Sequence, residues 1–356
     1  VKASRLIAAG HRVTLISPSR FQYYSGMGPG LLGGIYRPDE IRFDVGQMAA
    51  TRGVDFVRDR VHRIAPHRRL VFLTSGRTLP YDVLSCAVGS DVPADLAGGT
   101  LDGVLTVKPI ENLWRGRRIA RSLGRHGAAR FLVIGGGLGG VEITANLRRA
   151  VYPWRRRTDN VLLAGHRRLD GMPATATRLG LQQLTAAGVR VIEGDRAVAL
   201  QAGRAELEKG PPIEFDLCFL AVGVKPSGLF RRSGLPVGPD GGLQVDGRLQ
   251  CTRFERIFGG GDCISFTPRP LAKVGVYAVR QNPVLFDNLR AALEGRSLKN
   301  FDPGGDYLLI ANMGDGSGIF IRRGRVWSGR LAFRLKDYID RLFMSGTRAT
   351  FTLKKD

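Results

Sequence analysis

The chain has 356 residues, 43% of them apolar, which is enough for a packed core and too many residues for one ordinary domain. Its 54 lysines and arginines outnumber 31 acids, a formal charge of +23 that favours polyanionic partners such as phosphate-bearing cofactors or an anionic membrane surface. No apolar run reaches the roughly 18 residues of a membrane span, no signal-peptide or nucleic-acid-binding motif is visible, and no cysteine spacing suits zinc or a disulfide framework, so a membrane-spanning protein, a nucleic-acid binder and a metal scaffold are not expected.

In chain order, residues 1–20 read as the end of a helix and then a buried parallel strand, "HRVTLIS", which is the second half of a β-α-β unit. A strand and a glycine loop are expected upstream of Val1. Residues 51–90 give short strands, the last being "YDVLSCAVGS". Residues 128–165 form a complete β-α-β unit, and a further helix and strand, "LQQLTAAGVRVIEG", lead into a small β-meander near 196–220. "DLCFLAVGVKPS" and "RIFGGGDC" are strands ending in glycine turns. "VYAVRQNPVLFDNLRAAL" predicts a long helix, interrupted or kinked at Pro283. Short strands at 305–330 and an amphipathic closing helix, "LAFRLKDYIDRLFMSG", finish the chain. The pattern predicts an α/β protein in which residues 1–108 return at 245–300, around an insert of 109–244, with a C-terminal α+β segment over 301–356.

Three stretches carry chemistry. Gly135-x-Gly137-x-x-Gly140 follows an apolar strand and opens a helix, the context in which glycines let a backbone approach a pyrophosphate at a helix N-terminus. Glu142 follows in the first turn, where a carboxylate also suits the helix dipole. The next strand ends "AGHRRLD", with no acid for an adenosine ribose, and Arg167 and Arg168 beside His166 lean the site toward a 2′-phosphate. The third stretch is Gly259–Cys263, where glycines permit close passage of a phosphate or ribityl chain and Asp262 accepts from sugar hydroxyls. Cys86, Cys218, Cys251 and Cys263 read as buried thiols of a reducing cytoplasm.

"YDVLSCAVGS", the internal GxGxxG, "FLAVGVKPS" and "RIFGGGDC" stand in the order and spacing of the two-dinucleotide-binding-domain flavoproteins, the pyridine nucleotide-disulfide oxidoreductase superfamily, which the chain resembles over nearly its whole length. Within that superfamily it is similar to the type II NADH dehydrogenase and sulfide:quinone reductase branch. "YYSGMGPGLLGGIY" and "LKDYIDRLFM" look most like the dehydrogenase-like flavoproteins joined to selenide water dikinase. The resemblance implies two Rossmann-like, three-layer ββα domains, the NAD(P) domain inserted in the FAD domain. It implies FAD contacts at Ser17, where relatives carry a ribose-binding acid, and at Arg20, Val61, Ala87, Gly89, Lys108, Gly261 and Asp262. It places the nicotinamide nucleotide at Gly135, Gly137 and Gly140, with Glu142 near the flavin. The helix carrying Lys273, Gly275, Tyr277 and Gln281 would border a quinone, with Lys273 stabilising the reduced acceptor's charge.

The function so implied is FAD-dependent oxidation of NAD(P)H, with hydride passing to flavin N5 and electrons then to a quinone-like acceptor. Two alternatives stay open. One is sulfide:quinone or selenium-linked reduction, although no cysteine pair is suitably placed for a persulfide. The other is a binding scaffold without FAD, if the chain truly begins at Val1. The apolar face of the closing helix, flanked by arginines, suits an in-plane membrane helix, a homodimer contact or docking on the FAD domain. The expected location is cytoplasmic, peripheral on the inner membrane face.

Overall fold

The structure is a computed structural model that describes residues 3–93, 96, 99, 101–165 and 173–352, with the backbone alone beyond 346. Its largest element is a five-stranded parallel sheet in the order Val104–Thr106, Leu217–Leu220, Ala129–Ile134, Thr158–Gly165, Arg190–Glu193. The central strand is apolar at every position but Arg130, as a strand covered on both faces requires. Strand alternation divides its side chains between two cores. Phe131 and Val133 pack under the helices Glu111–His126, Leu138–Ala150 and Ala174–Ala186. Leu132 and Ile134 pack under an antiparallel meander of Ala197–Gln201, Arg204–Leu207 and Ile213–Glu214. Three layers result.

The chain winds outward from Ala129–Ile134 through Thr158–Gly165 to Arg190–Glu193, then crosses back to Leu217–Leu220 on the other side of its starting strand. The loops after Ile134 and Leu220 therefore leave in opposite directions. That reversal opens a crevice at the carboxyl ends of the two strands, the place where doubly wound sheets take ligands.

Residues on either side of this unit pair with one another. Leu84–Cys86 lies parallel to Ile257–Gly259, and Thr14–Ser17 lies parallel to Asp55–Arg58. The antiparallel strands Val61–Ala65, Leu70–Leu73 and Thr78–Pro80 share a core with Leu243, Val245, Ile257 and Ile264. The Gly275–Glu294 helix contains Pro283 and runs unbroken, which corrects the expected interruption. Proline's missing N–H leaves the carbonyl four residues back unbonded. That residue, Val279, is 51% exposed, a surface position at which an unpaired carbonyl can be hydrated and the helix can continue.

The C-terminal segment is an antiparallel sheet of Leu309–Asn312, Gly318–Arg322 and Arg325–Gly329, followed by the closing helix Arg330–Thr352. One face of this helix docks on residues 24–41. Lys336 lies buried between the Gly26 carbonyl and Asp340, each at 2.8 Å, and Tyr24 and Tyr36 donate to Asp340 and Asp337. The opposite face leaves Leu331, Leu335, Tyr338, Ile339 and Leu342 exposed. Among the described residues, no helix is long and apolar enough to cross a membrane.

Candidate active site

Two seats border one another where the parallel sheet meets the flanking strands. The first lies at the sheet's switch point. Gly137 ends the loop with extended ψ, and the helix starts at Leu138 with its early N–H groups directed out of the turn. Gly135 has φ +128°, and a Cβ there would overlap the Ala221 carbonyl; one on Gly136 would overlap that of Ala164, and one on Gly140 that of Gly135. Glycine is thus required by backbone contact at three positions. At Gly139 nothing lies within 4 Å, so the helix start faces open space. A helix N-terminus with bare backbone beside a void is a seat for phosphate. The sequence motif singles out Gly135, Gly137 and Gly140. Gly136 escapes it because its importance lies in the Ala164 carbonyl that the neighbouring strand brings near.

The second seat is built from four separated stretches. Lys108 Nζ lies 2.9 Å from Asp262 Oδ2 and 2.8 Å from Ser90 Oγ, and the Ser90 hydroxyl donates to the same carboxylate oxygen at 2.9 Å. Residues 90–91 pair with Lys225–Pro226. Ala87 and Val88 are exposed, and Gly89 has φ +69° with open space where a side chain would be. This shelf of bare backbone beside a carboxylate and a cation fits a flavin with its ribityl hydroxyls. The two seats share a wall, because Val107 N donates to the Leu220 carbonyl while Ala221 carries the glycine loop.

Other candidate residues are engaged elsewhere. Gln281, 1% exposed, accepts from Gly261 N at 2.6 Å. It braces the glycine turn that precedes Asp262. Lys273 pairs with Asp240 at 2.6 Å and donates to the Ile264 carbonyl. Its ammonium straps the turn at Asp240 to the Ile264–Phe266 strand and, unlike the sequence expectation, is engaged within the chain. Gly275 opens its helix facing open space, and Tyr277 meets Tyr307 edge-on at 5.5 Å. Ser17 donates to the Ser19 carbonyl, Arg20 is held by Asp44, and Val61 packs on the core that contains Leu243 and Val245. His166, Arg167 and Arg168 lie outside the described residues. The four thiols are buried and unpaired, and burial pushes each upward, Cys263 to about 11. Neutral buried thiols are not nucleophiles at physiological pH.

Glu142 accepts from Asn312 N at 2.7 Å, and Asn146 donates to the Asn312 carbonyl, so the nucleotide helix is fastened to the C-terminal sheet. Burial raises the Glu142 carboxyl from 4.5 to about 7, opposed by the Lys336 charge and the Asn312 N–H and reinforced by Asp340. A carboxyl raised in the folded state keeps a proton that the unfolded chain releases. Stability is therefore present below pH 4.5 and lost as pH rises from 4.5 to 7, by up to ~3 kcal/mol. Glu142→Gln keeps the acceptor and removes the charge. Urea unfolding at pH 5 and pH 8 should show the variant gaining on the parent by that amount at the higher pH. Parallel stabilities across the window would show that Glu142 titrates normally.

Residues 1–282 match the family model for pyridine nucleotide-disulphide oxidoreductases. The chain is similar to ferroptosis suppressor protein 1 of Taeniopygia guttata, 28% identical over 285 residues, which span 76% of this chain and 72% of that one. It is 26% identical to the demethylphylloquinone reductase NdbB of Synechocystis sp. over 282 residues, 75% of this chain and 69% of the relative. Among solved structures, the sulfide:quinone oxidoreductase of Aquifex aeolicus superposes with a TM-score of 0.81 at 15% identity, covering 98% of this chain and 88% of the other.

Proposed function

The chain belongs to the pyridine nucleotide-disulphide oxidoreductase family, and from that premise we propose that this FAD-dependent NAD(P)H oxidoreductase passes its electrons to a quinone. The observation that carries the reading is the Ser90–Lys108–Asp262 cluster, set beside bare glycine backbone and one strand away from a helix N-terminus open to phosphate. The first of these places would hold FAD, which when bound would supply a ring able to accept hydride from an NAD(P)H held in the second. Asp262 accepts hydrogen bonds from the sugar hydroxyls. Lys108 pairs with that carboxylate and would bring a positive charge to the site of the reduced ring. The Gly135–Gly140 loop and the following helix bind the nucleotide pyrophosphate. A quinone acceptor agrees with the demethylphylloquinone reductase among the relatives.

The test is an anaerobic titration of the purified protein followed by its visible spectrum. NADH or NADPH should bleach the flavin bands, and a soluble quinone should restore them. A colourless protein, or bands that neither nucleotide bleaches, sinks the proposal. Bleaching by sulfide alone would favour the rival sulfide chemistry.

The quinone reading includes peripheral attachment to a membrane. The free face of the closing helix supports it: Leu331, Tyr338 and Leu342 are more than half exposed, and Arg330 and Arg334 flank them. The Leu335→Glu/Tyr338→Glu double variant should lose co-sedimentation with anionic vesicles while reducing a soluble quinone at the parent rate. If the double variant still co-sediments, this face is not the membrane contact. If it instead converts a dimer to a monomer, the face is a homodimer contact.

A further inference from the structure

The helix Glu111–His126 carries a second cationic site, away from both seats described above. Arg117, Arg121 and Arg125 recur at four-residue spacing on one stripe, with Arg118 and His126 beside them. With Trp114 and Trp154 they line an open cavity of about 380 Å³ that has no acidic residue in its wall. Like charges four apart weaken a helix by a few tenths of a kcal/mol per pair, so the stripe is not there for helix stability. Elsewhere this chain pairs surface arginines with acids: Arg12 with Asp55, Arg20 with Asp44, Arg190 with Asp159, Arg196 with Glu208 and Arg341 with Asp337. Among the described residues none of Arg117, Arg118, Arg121 and Arg125 has such a partner.

Arg117 is the anchor of the group. Its guanidinium fills the space that a side chain on Gly34 would need, and lies 5.4 Å from the Trp114 ring centroid. Its Nε is buried without a hydrogen-bond partner. Burial, with Arg121 and Arg149 close by, pulls its pKa down. Arg121 is fixed by the Ala150 carbonyl and lies over Trp154. A partly buried cation with an orphaned donor, whose nearby charges are those of Arg121 and Arg149, is costly until an anion arrives. Guanidinium forks match the paired oxygens of phosphate. The stripe from Arg117 to Arg125 extends roughly 12 Å along the helix at 1.5 Å per residue, the reach of several linked phosphates. The cavity volume is at the lower end of small-molecule sites, which span roughly 300–1,000 Å³.

We infer that this cavity is an accessory binding site for a compact polyphosphate, inorganic or borne on a nucleoside, separate from the two dinucleotide seats. The separation follows from the fold. Trp154 lies just past the C-terminal end of the Leu138–Ala150 helix, and the glycine loop sits at that helix's N-terminus.

The test is calorimetric titration of the purified protein, saturated with NAD⁺ so that the nucleotide seat is filled, with sodium tripolyphosphate, ATP and citrate. Tripolyphosphate should bind with one site per chain, and ATP with it if nucleosides are accepted. The exposed double variant Arg118→Gln/Arg125→Gln should weaken tripolyphosphate binding roughly tenfold or more while keeping the parent's thermal midpoint. Arg117→Gln, which removes the orphaned cation, should unfold at a higher temperature than the parent without ligand and should lose the upward shift that tripolyphosphate gives the parent. Three results overturn the inference: isotherms unchanged in the double variant, citrate binding as tightly as tripolyphosphate, or affinity for anionic vesicles with none for tripolyphosphate.

Discussion

Replacing Asp262 by alanine is expected to give a protein that purifies with less than a tenth of the parent's flavin and loses NAD(P)H oxidation in proportion. The Asp262 side chain is only 15% exposed, and one of its oxygens receives both the Lys108 ammonium and the Ser90 hydroxyl. Among the described residues its other oxygen has no hydrogen-bond partner, and it is the acceptor we assign to the cofactor's sugar hydroxyls. A hydrogen bond to a charged group contributes about 1.5–3 kcal/mol, so losing this acceptor should weaken flavin binding roughly 10- to 150-fold. The truncation also strands the Lys108 cation, which should lower stability by about 1–3 kcal/mol. Asp262→Asn separates the two effects, because it keeps the shape and one acceptor while removing the charge, and should retain intermediate flavin. Flavin-to-protein absorbance ratios of the dialysed proteins check this. A D262A protein that keeps full flavin and full turnover would remove Asp262 from the site.

A pair of glycine substitutions should separate backbone packing from ligand binding in the other seat. Gly139 has open space around its Cβ position, so Gly139→Glu should fold and retain flavin. The new carboxylate would stand where the helix N-terminus offers itself to a pyrophosphate. Two like charges about 4 Å apart repel by up to ~4 kcal/mol at an effective dielectric of 20. With partial relief by rotation and salt, KM for NAD(P)H should rise roughly 10- to 100-fold. At Gly140 the obstacle is the Gly135 carbonyl, which is backbone and cannot swing away. Gly140→Ala should therefore be destabilised by about 2–4 kcal/mol, with the nucleotide loop displaced. Steady-state kinetics and thermal unfolding on both variants distinguish the outcomes. An unchanged KM in G139E would show that the nucleotide binds elsewhere.

These residues also show how far the sequence could be read. The glycine loop was legible because its geometry is local: strand, turn and helix are consecutive, and each requires its own residue types. The likeness to flavoproteins rested on four such local motifs in order. The surroundings of Lys273 and Gln281 were not legible for the opposite reason. Gln281 lies on the expected helix and Lys273 just before it, but each side chain bonds to a residue on another element, Asp240 and Gly261, and no local pattern records that pairing. The continuity of the helix through Pro283 had a similar cause, since exposure of the Val279 carbonyl depends on what does not pack there.

By itself, then, the sequence determined the α/β class, the nesting of one α/β unit inside another, the glycine turn that opens the Leu138–Ala150 helix and the carboxylate at residue 262, because alternation, periodicity and glycine spacing act over neighbouring residues. Only the tertiary structure decided that Ser90, Lys108 and Asp262 form one cluster, that Glu142 is fastened to Asn312, and that the arginines of the Glu111–His126 helix stand without acids. Those arrangements depend on which elements pack together, and so on burial and charge contributed by segments that are not neighbours in the chain.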